Sequence, residues 1–74
     1  MNFFLVTTSP FAKYTEESSF IMWTEESILS TEVAKRQFEH VYDVCGVKVL
    51  SVKKVAKEEA NKLRARFMAF GASK

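Results

Sequence analysis

The side chains that could do chemistry here are one imidazole and one thiol, three pairs of adjacent glutamates, and one concentrated run of cations. His40 and Cys45 are the only histidine and the only cysteine. Their i, i+5 spacing puts them on different sides of a helix, which suits an exposed histidine and a buried cysteine better than two ligands of one metal ion. Cys45 is equally poor as a nucleophile. It stands next to Gly46, where the negative end of a helix dipole opposes the thiolate that nucleophilic attack requires.

The glutamate pairs are Glu16-Glu17, Glu25-Glu26 and Glu58-Glu59. Neighbouring residues diverge by about 100° in a helix and about 180° in a strand, so no pair converges on one substrate as an acid/base couple. Solvated surface acids are the expectation. The chain has only two glycines, too few for a phosphate-cradling loop or a dinucleotide fingerprint. No catalytic residue, metal site or cofactor is expected, and the chain reads as a binding protein rather than an enzyme.

The cations carry more information. Lys48, Lys53, Lys54, Lys57, Lys62, Arg64 and Arg66 fall within nineteen residues, a patch able to neutralise several phosphates. Glu58 and Glu59 interrupt it, and Glu58–Lys62 is an i, i+4 pair that supports a helix. Phe67 and Phe70 fall on the apolar stripe, so no aromatic platform for stacked bases lies among these cations. The opposite charge is concentrated elsewhere. Residues 1–34 carry Lys13 against Glu16, Glu17, Glu25, Glu26 and Glu32, whereas residues 35–74 carry ten cations against four acids, leaving the halves near −4 and +6. If these five acids, in the hairpin loop and at the entry to the first helix, gather at one end of the sheet, they make a negative patch that steers the protein toward a basic partner and repels nucleic acid.

These groups must be positioned by a small scaffold. A chain of 74 residues is one domain and hides only about 60% of its unfolded surface, so it needs an efficient core. Apolar residues make up 47% of the chain and ten residues are aromatic, which separates it from disordered sequences. A lone cysteine permits no intrachain disulfide and points to a reducing compartment. The first residues hold an apolar run of only four, with no basic stretch before it, far short of a span of about 20 residues. A cytoplasmic location is expected, with neither secretion nor membrane insertion.

Residues 2–8, NFFLVTT, and 18–24, SSFIMWT, are rich in β-branched and aromatic types and predict two strands of an antiparallel hairpin. Ser9-Pro10 ends the first, because proline donates no hydrogen bond. Both faces of the hairpin are apolar. From about Ser30 to Val44 the period becomes helical, with Ala34, Phe38, Val41 and Cys45 on one stripe, Ser30 as N-cap, Glu32 in the first turn and Gly46 beyond the end. Val47–Lys53 predicts a third strand. Val55 to Phe70 predicts a final helix with Ala56, Ala60, Leu63, Phe67 and Phe70 as its stripe and Gly71 as its stop. Phe38, Val41, Val49 and Phe67 are expected in the core.

The expected fold is thus a single α+β domain of order ββαβα, with a three-stranded sheet packed with two helices. The crossover from the second strand to the third leaves those strands as parallel neighbours or separated by the first. The last helix either covers the second face of the hairpin or lies beside the first helix. In the second arrangement an apolar face around Phe4, Ile21 and Trp23 is exposed for a partner.

Ser19-Phe20 at a strand start, the helix that follows, and the strand Gly46-Val47-Lys48-Val49-Leu50-Ser51-Val52-Lys53 together resemble the small RNA polymerase inhibitors of T7-like phages. In that family a Ser-Phe strand start likewise precedes a helix and then a strand that opens with glycine and closes on valine and a basic residue. The resemblance covers about half the chain. It implies a phage-encoded protein of the host cytoplasm whose basic residues on the last strand and whose acids bind the jaw of a bacterial polymerase subunit and block promoter opening. Lys53 matches one of two basic positions flanking a valine, Ser51 stands at the other, and the last helix has no counterpart.

The reading is accordingly a host-directed protein inhibitor or modulator. Its candidate contact residues are Glu16, Glu17, Trp23, Glu25, Glu26, Lys48, Lys53, Lys54 and Lys57. The alternatives are a nucleic-acid-binding accessory protein using the basic half, and a homo-oligomer joined through the doubly apolar hairpin.

Overall fold

A computed structural model describes residues 1–11 and 15–71. Lys13 and Lys74, which enter the charge division, and part of the connection between the first two strands lie outside the described residues. The chain forms β1 (Asn2–Thr8), β2 (Ser18–Thr24), α1 (Thr31–Tyr42), β3 (Val49–Val55), α2 (Lys57–Leu63) and β4 (Ala69–Gly71). This is an α+β domain with two helices on a mixed four-stranded sheet of order β3-β1-β2-β4. β1 is antiparallel to both β2 and β3, and β4 runs parallel to β2. β2 and β3 therefore take the second arrangement open to them, separated by β1.

Strand register sorts the apolar hairpin into two cores. Phe4 lies opposite Met22 and Val6 opposite Phe20, while Phe3 lies opposite Trp23 and Leu5 opposite Ile21. With a side-chain period of two, the first set faces one way and the second the other. α1 covers the first face, where Phe4, Val6, Phe20 and Met22 pack with Leu29, Ala34, Phe38 and Val47. α2 covers the second, where Phe3, Ile21 and Val55 pack with Ala60. Two helices on two faces explain why both faces of the hairpin are apolar, and Phe4 sits on the opposite face from Ile21 and Trp23.

α1 begins as its sequence dictates. Ser30 has extended backbone and its Oγ accepts a hydrogen bond from the Val33 N–H at 3.2 Å, with Glu32 in the first turn. It ends two residues before the expected Val44, because Asp43 enters the left-handed region at φ 53° and donates its N–H to the Glu39 carbonyl. Aspartate tolerates that conformation better than most side chains. Gly46, also left-handed at φ 78°, serves the following loop, where its N–H donates to the Glu39 carboxylate at 2.8 Å. The early stop releases Cys45 from the helical stripe, and it is exposed. Val41 is 44% exposed rather than buried. Tyr42 takes the inner position instead, its ring 5.9 Å from Phe20 and 6.4 Å from Phe38, because a phenol can bury its body and keep its hydroxyl near water.

The third strand and the last helix also differ from expectation. Val47 is buried and the Ser9 N–H donates to the Lys48 carbonyl, but regular pairing starts at Val49 and continues to Val55. Thr7 pairs with Ser51 and Thr8 with Val49, so Leu50 is the extra residue of a bulge.

α2 spans only Lys57–Leu63. The turn after it tightens, with the Arg66 N–H donating to the Leu63 carbonyl, and the chain then becomes β4. The three-stranded sheet and the ββαβα order are thereby corrected to four strands and ββαβαβ. Hydrogen bonding and packing both favour the change. Ile21 and Met22 are fully buried, so the edge of β2 would leave buried backbone groups unpaired, and β4 supplies their partners, beginning with the Met68 carbonyl at 2.9 Å from the Ile21 N. A strand also sends Phe70 to the α1 face and Ala69 to the α2 face. Phe70 thereby reaches Phe38 at 5.4 Å and Phe20 at 6.2 Å, which a helix lying on the α2 face could not do. Phe67 is left half-buried in the turn.

Candidate macromolecule-binding surface

The lysines divide along one sheet edge. β3 is the outermost strand beside β1, and it pairs Lys54 with Phe4 and Lys53 with Leu5. Lys54 therefore projects on the α1 face of the edge and Lys53 on the α2 face. Lys48 precedes the strand and Lys57 opens α2, and all four lysines are exposed. From Lys48 to Lys54 this edge runs for roughly 20 Å. Leu50 lies within it, 42% exposed at the bulge.

The remaining cations lie elsewhere. The Arg64 guanidinium sits over the Trp23 ring at 5.6 Å and that of Arg66 over Phe67 at 5.7 Å, cation–π contacts on the β2 and β4 side of the molecule. Arg66 also lines a groove of about 310 Å³ with Glu17, Ser18, Ser19, Phe67 and Met68. Six of the seven cations counted in sequence thus fall into two groups rather than one patch, and the seventh, Lys62, lies in the last turn of α2. A second groove, of about 320 Å³, lies between the first turn of α1 and the start of β3, where Lys35 and Lys48 share the wall with Glu32.

The acids do not gather. Glu16 and Glu17 precede β2 and Glu25 and Glu26 follow it, so the strand holds the two pairs roughly 20–25 Å apart. Each pair sits on ordered backbone. The Ser18 hydroxyl donates to the Glu16 carbonyl at 3.1 Å. At the other end Asn2 Nδ2 donates to the Glu26 carbonyl at 2.8 Å, and the Glu26 N–H donates to Thr24 Oγ1 at 3.2 Å.

Trp23 is half-buried beneath α2 and beside Gly71, where an added Cβ would stand 2.9 Å from the indole nitrogen. It is a packing residue of the second core more than a free anchor. Because α1 and α2 cover the hairpin, its apolar faces are not open as an oligomer interface.

His40 is exposed on α1 and Cys45 in the loop beyond it. Among the described residues no three His, Cys, Asp or Glu side chains come together, and no helix is long and apolar enough to cross a membrane.

Sequence reasoning missed Leu50 and the edge position of β3. A signal for the edge was present, since lysines within a β-branched run are a recurrent device that protects edge strands.

Fold and surface together define a small mixed-sheet α+β domain with a lysine-lined edge. Compared with protein family models, with curated proteins and with solved structures, the chain matches none.

Proposed function

We propose that this chain is a stoichiometric protein-binding domain that inhibits or redirects a partner macromolecule. The observation that carries the reading is the exposed β3 edge, where Lys48, Lys53 and Lys54 flank the partly exposed Leu50 along the strand and Lys57 follows at the start of α2. A row of cations that includes one apolar contact suits an acidic protein surface. Electrostatic complementarity of this kind sets encounter rate and partner choice. Nucleic acid is the less favoured target, because Lys53 and Lys54 project on opposite faces of one strand and Glu58 and Glu59 follow directly on Lys57. The resemblance of residues 19–53 to phage polymerase inhibitors makes the jaw of a bacterial RNA polymerase the first partner to try, with the chain acting in the host cytoplasm.

The test is capture from bacterial lysate by the wild-type chain and by Lys53→Glu/Lys54→Glu/Lys57→Glu, with identification and purification of what is retained. A defined protein that rebinds the wild type at a fixed ratio and is lost by the triple variant supports the reading. Duplex DNA should bind no tighter than about 10⁻⁴ to 10⁻⁶ M at physiological salt. Submicromolar DNA affinity with a steep salt slope, abolished by the same reversals, would transfer the function to nucleic acid.

A further inference from the structure

Among the described residues β3 pairs with β1 and with no strand on its other side. It is seven residues long, against a mean strand of about 5–6. Alternate backbone N–H and C=O groups on its outer side therefore form a row that an extended chain can join.

The side chains on this edge discriminate between candidate occupants. In a two-fold antiparallel pairing of β3 with a second copy, Lys53 and Lys54 of both chains enter one short ladder, directly opposite or diagonal to each other, and like charges at those positions oppose the pairing. An acidic segment gains from the same geometry. Because Lys53 and Lys54 project on opposite faces, two consecutive carboxylates on an added strand would also project on opposite faces, one beside each lysine. In the antiparallel sense an apolar residue three or four positions beyond those acids arrives beside Leu50.

We propose that the outer edge of β3 takes an extended segment of a partner protein by strand addition, the segment carrying two adjacent acidic residues followed by an apolar one. This rests on the protein-binding reading above and adds its mode. Backbone hydrogen bonds would supply affinity and the lysine pair would set the register, the division of labour found wherever a peptide joins a sheet edge.

The test uses the capped peptide Ser-Thr-Glu-Glu-Val-Thr-Leu-Thr-Ser and two analogues with backbone N-methyl groups on alternate residues in the two possible phases. One phase places its methyl groups against β3 and the other places them toward solvent, while sequence and charge are unchanged. The expected result is that one phase weakens binding at least about tenfold and the other leaves it nearly unaltered. Lys53→Glu/Lys54→Glu should likewise lose the unmodified peptide, and β3 amides should gain hydrogen-exchange protection in the complex.

Equal binding of both analogues would overturn strand addition by showing attraction through charge alone, while leaving the protein-binding reading in place. No binding of the unmodified peptide, or a dimer of the chain that Lys53→Glu/Lys54→Glu dissociates, would also overturn it. Displacement of the peptide by submicromolar duplex DNA would overturn both proposals.

Discussion

The two faces of the sheet are built to different standards. Over one lies α1, twelve residues long, capped by Ser30, whose Phe38 and Tyr42 join Phe11, Phe20 and Phe70 in a cluster of five rings. Over the other lies α2, seven residues long, with Ala56 at its N-cap and no side-chain hydrogen bond there; it buries Ala60 and leaves Leu63 half-exposed. A helix of that length is marginal on its own and depends on what it packs against. The contrast implies that cohesion is concentrated on the α1 face and that α2 opens at lower free energy, as local unfolding commonly follows sparse burial.

The largest effect should come from the stronger face. Phe38 is fully buried and meets Phe20 at a centroid distance of 4.7 Å, so Phe38→Ala should cost about 3–5 kcal/mol in denaturant unfolding, enough to unfold most of a domain this small. An unchanged transition would remove the aromatic cluster from the account.

The two helix starts sharpen the comparison at the next scale. Ser30→Ala should lower stability by about 1 kcal/mol. Ala56→Ser should raise it by a similar amount, because serine there would stand three residues before Glu59 and complete a capping box. Hydrogen exchange should show α2 amides more labile than those of α1 in the wild type and selectively protected in Ala56→Ser. Equal protection of both helices would contradict the ranking of the faces.

The smallest effects test packing details. Thr8 is fully buried on the α1 face and its Oγ1 has no hydrogen-bond partner among the described residues, so Thr8→Val should leave stability unchanged or raise it. Val41→Ser, on the outer flank of α1, should stay within about 0.5 kcal/mol of wild type.

Local signals were legible where one principle decided the outcome. The first two strands and the Ser30 cap could be read directly, since β-branched runs and a serine before a helical period have few other meanings. Which hairpin residues share a face required the cross-strand register, which sets Phe4 opposite Met22 and Phe3 opposite Trp23 and so separates Phe4 from Ile21 and Trp23. Residues 64–71 misled for a physical reason. Arg64, Ala65, Met68 and Ala69 favour a helix locally, and Phe67 and Phe70 continue its period, but the exposed edge of β2 needed backbone partners and the aromatic cluster needed Phe70 on the α1 face. Tertiary demand overrode propensity there. The candidate surface followed the same rule. The lysines could be counted in sequence, but their division into a β3 group and an arginine group near β2 required the sheet order.

The most direct test of the central claim is a titration of the protein identified by capture, purified, against the wild-type chain and Lys53→Glu/Lys54→Glu/Lys57→Glu, with duplex DNA as competitor. The folded triple variant should lose affinity at least about tenfold, chiefly through slower association, and DNA at micromolar concentration should not displace the wild type. Undiminished binding by the triple variant would place the contact away from β3 and contradict the account.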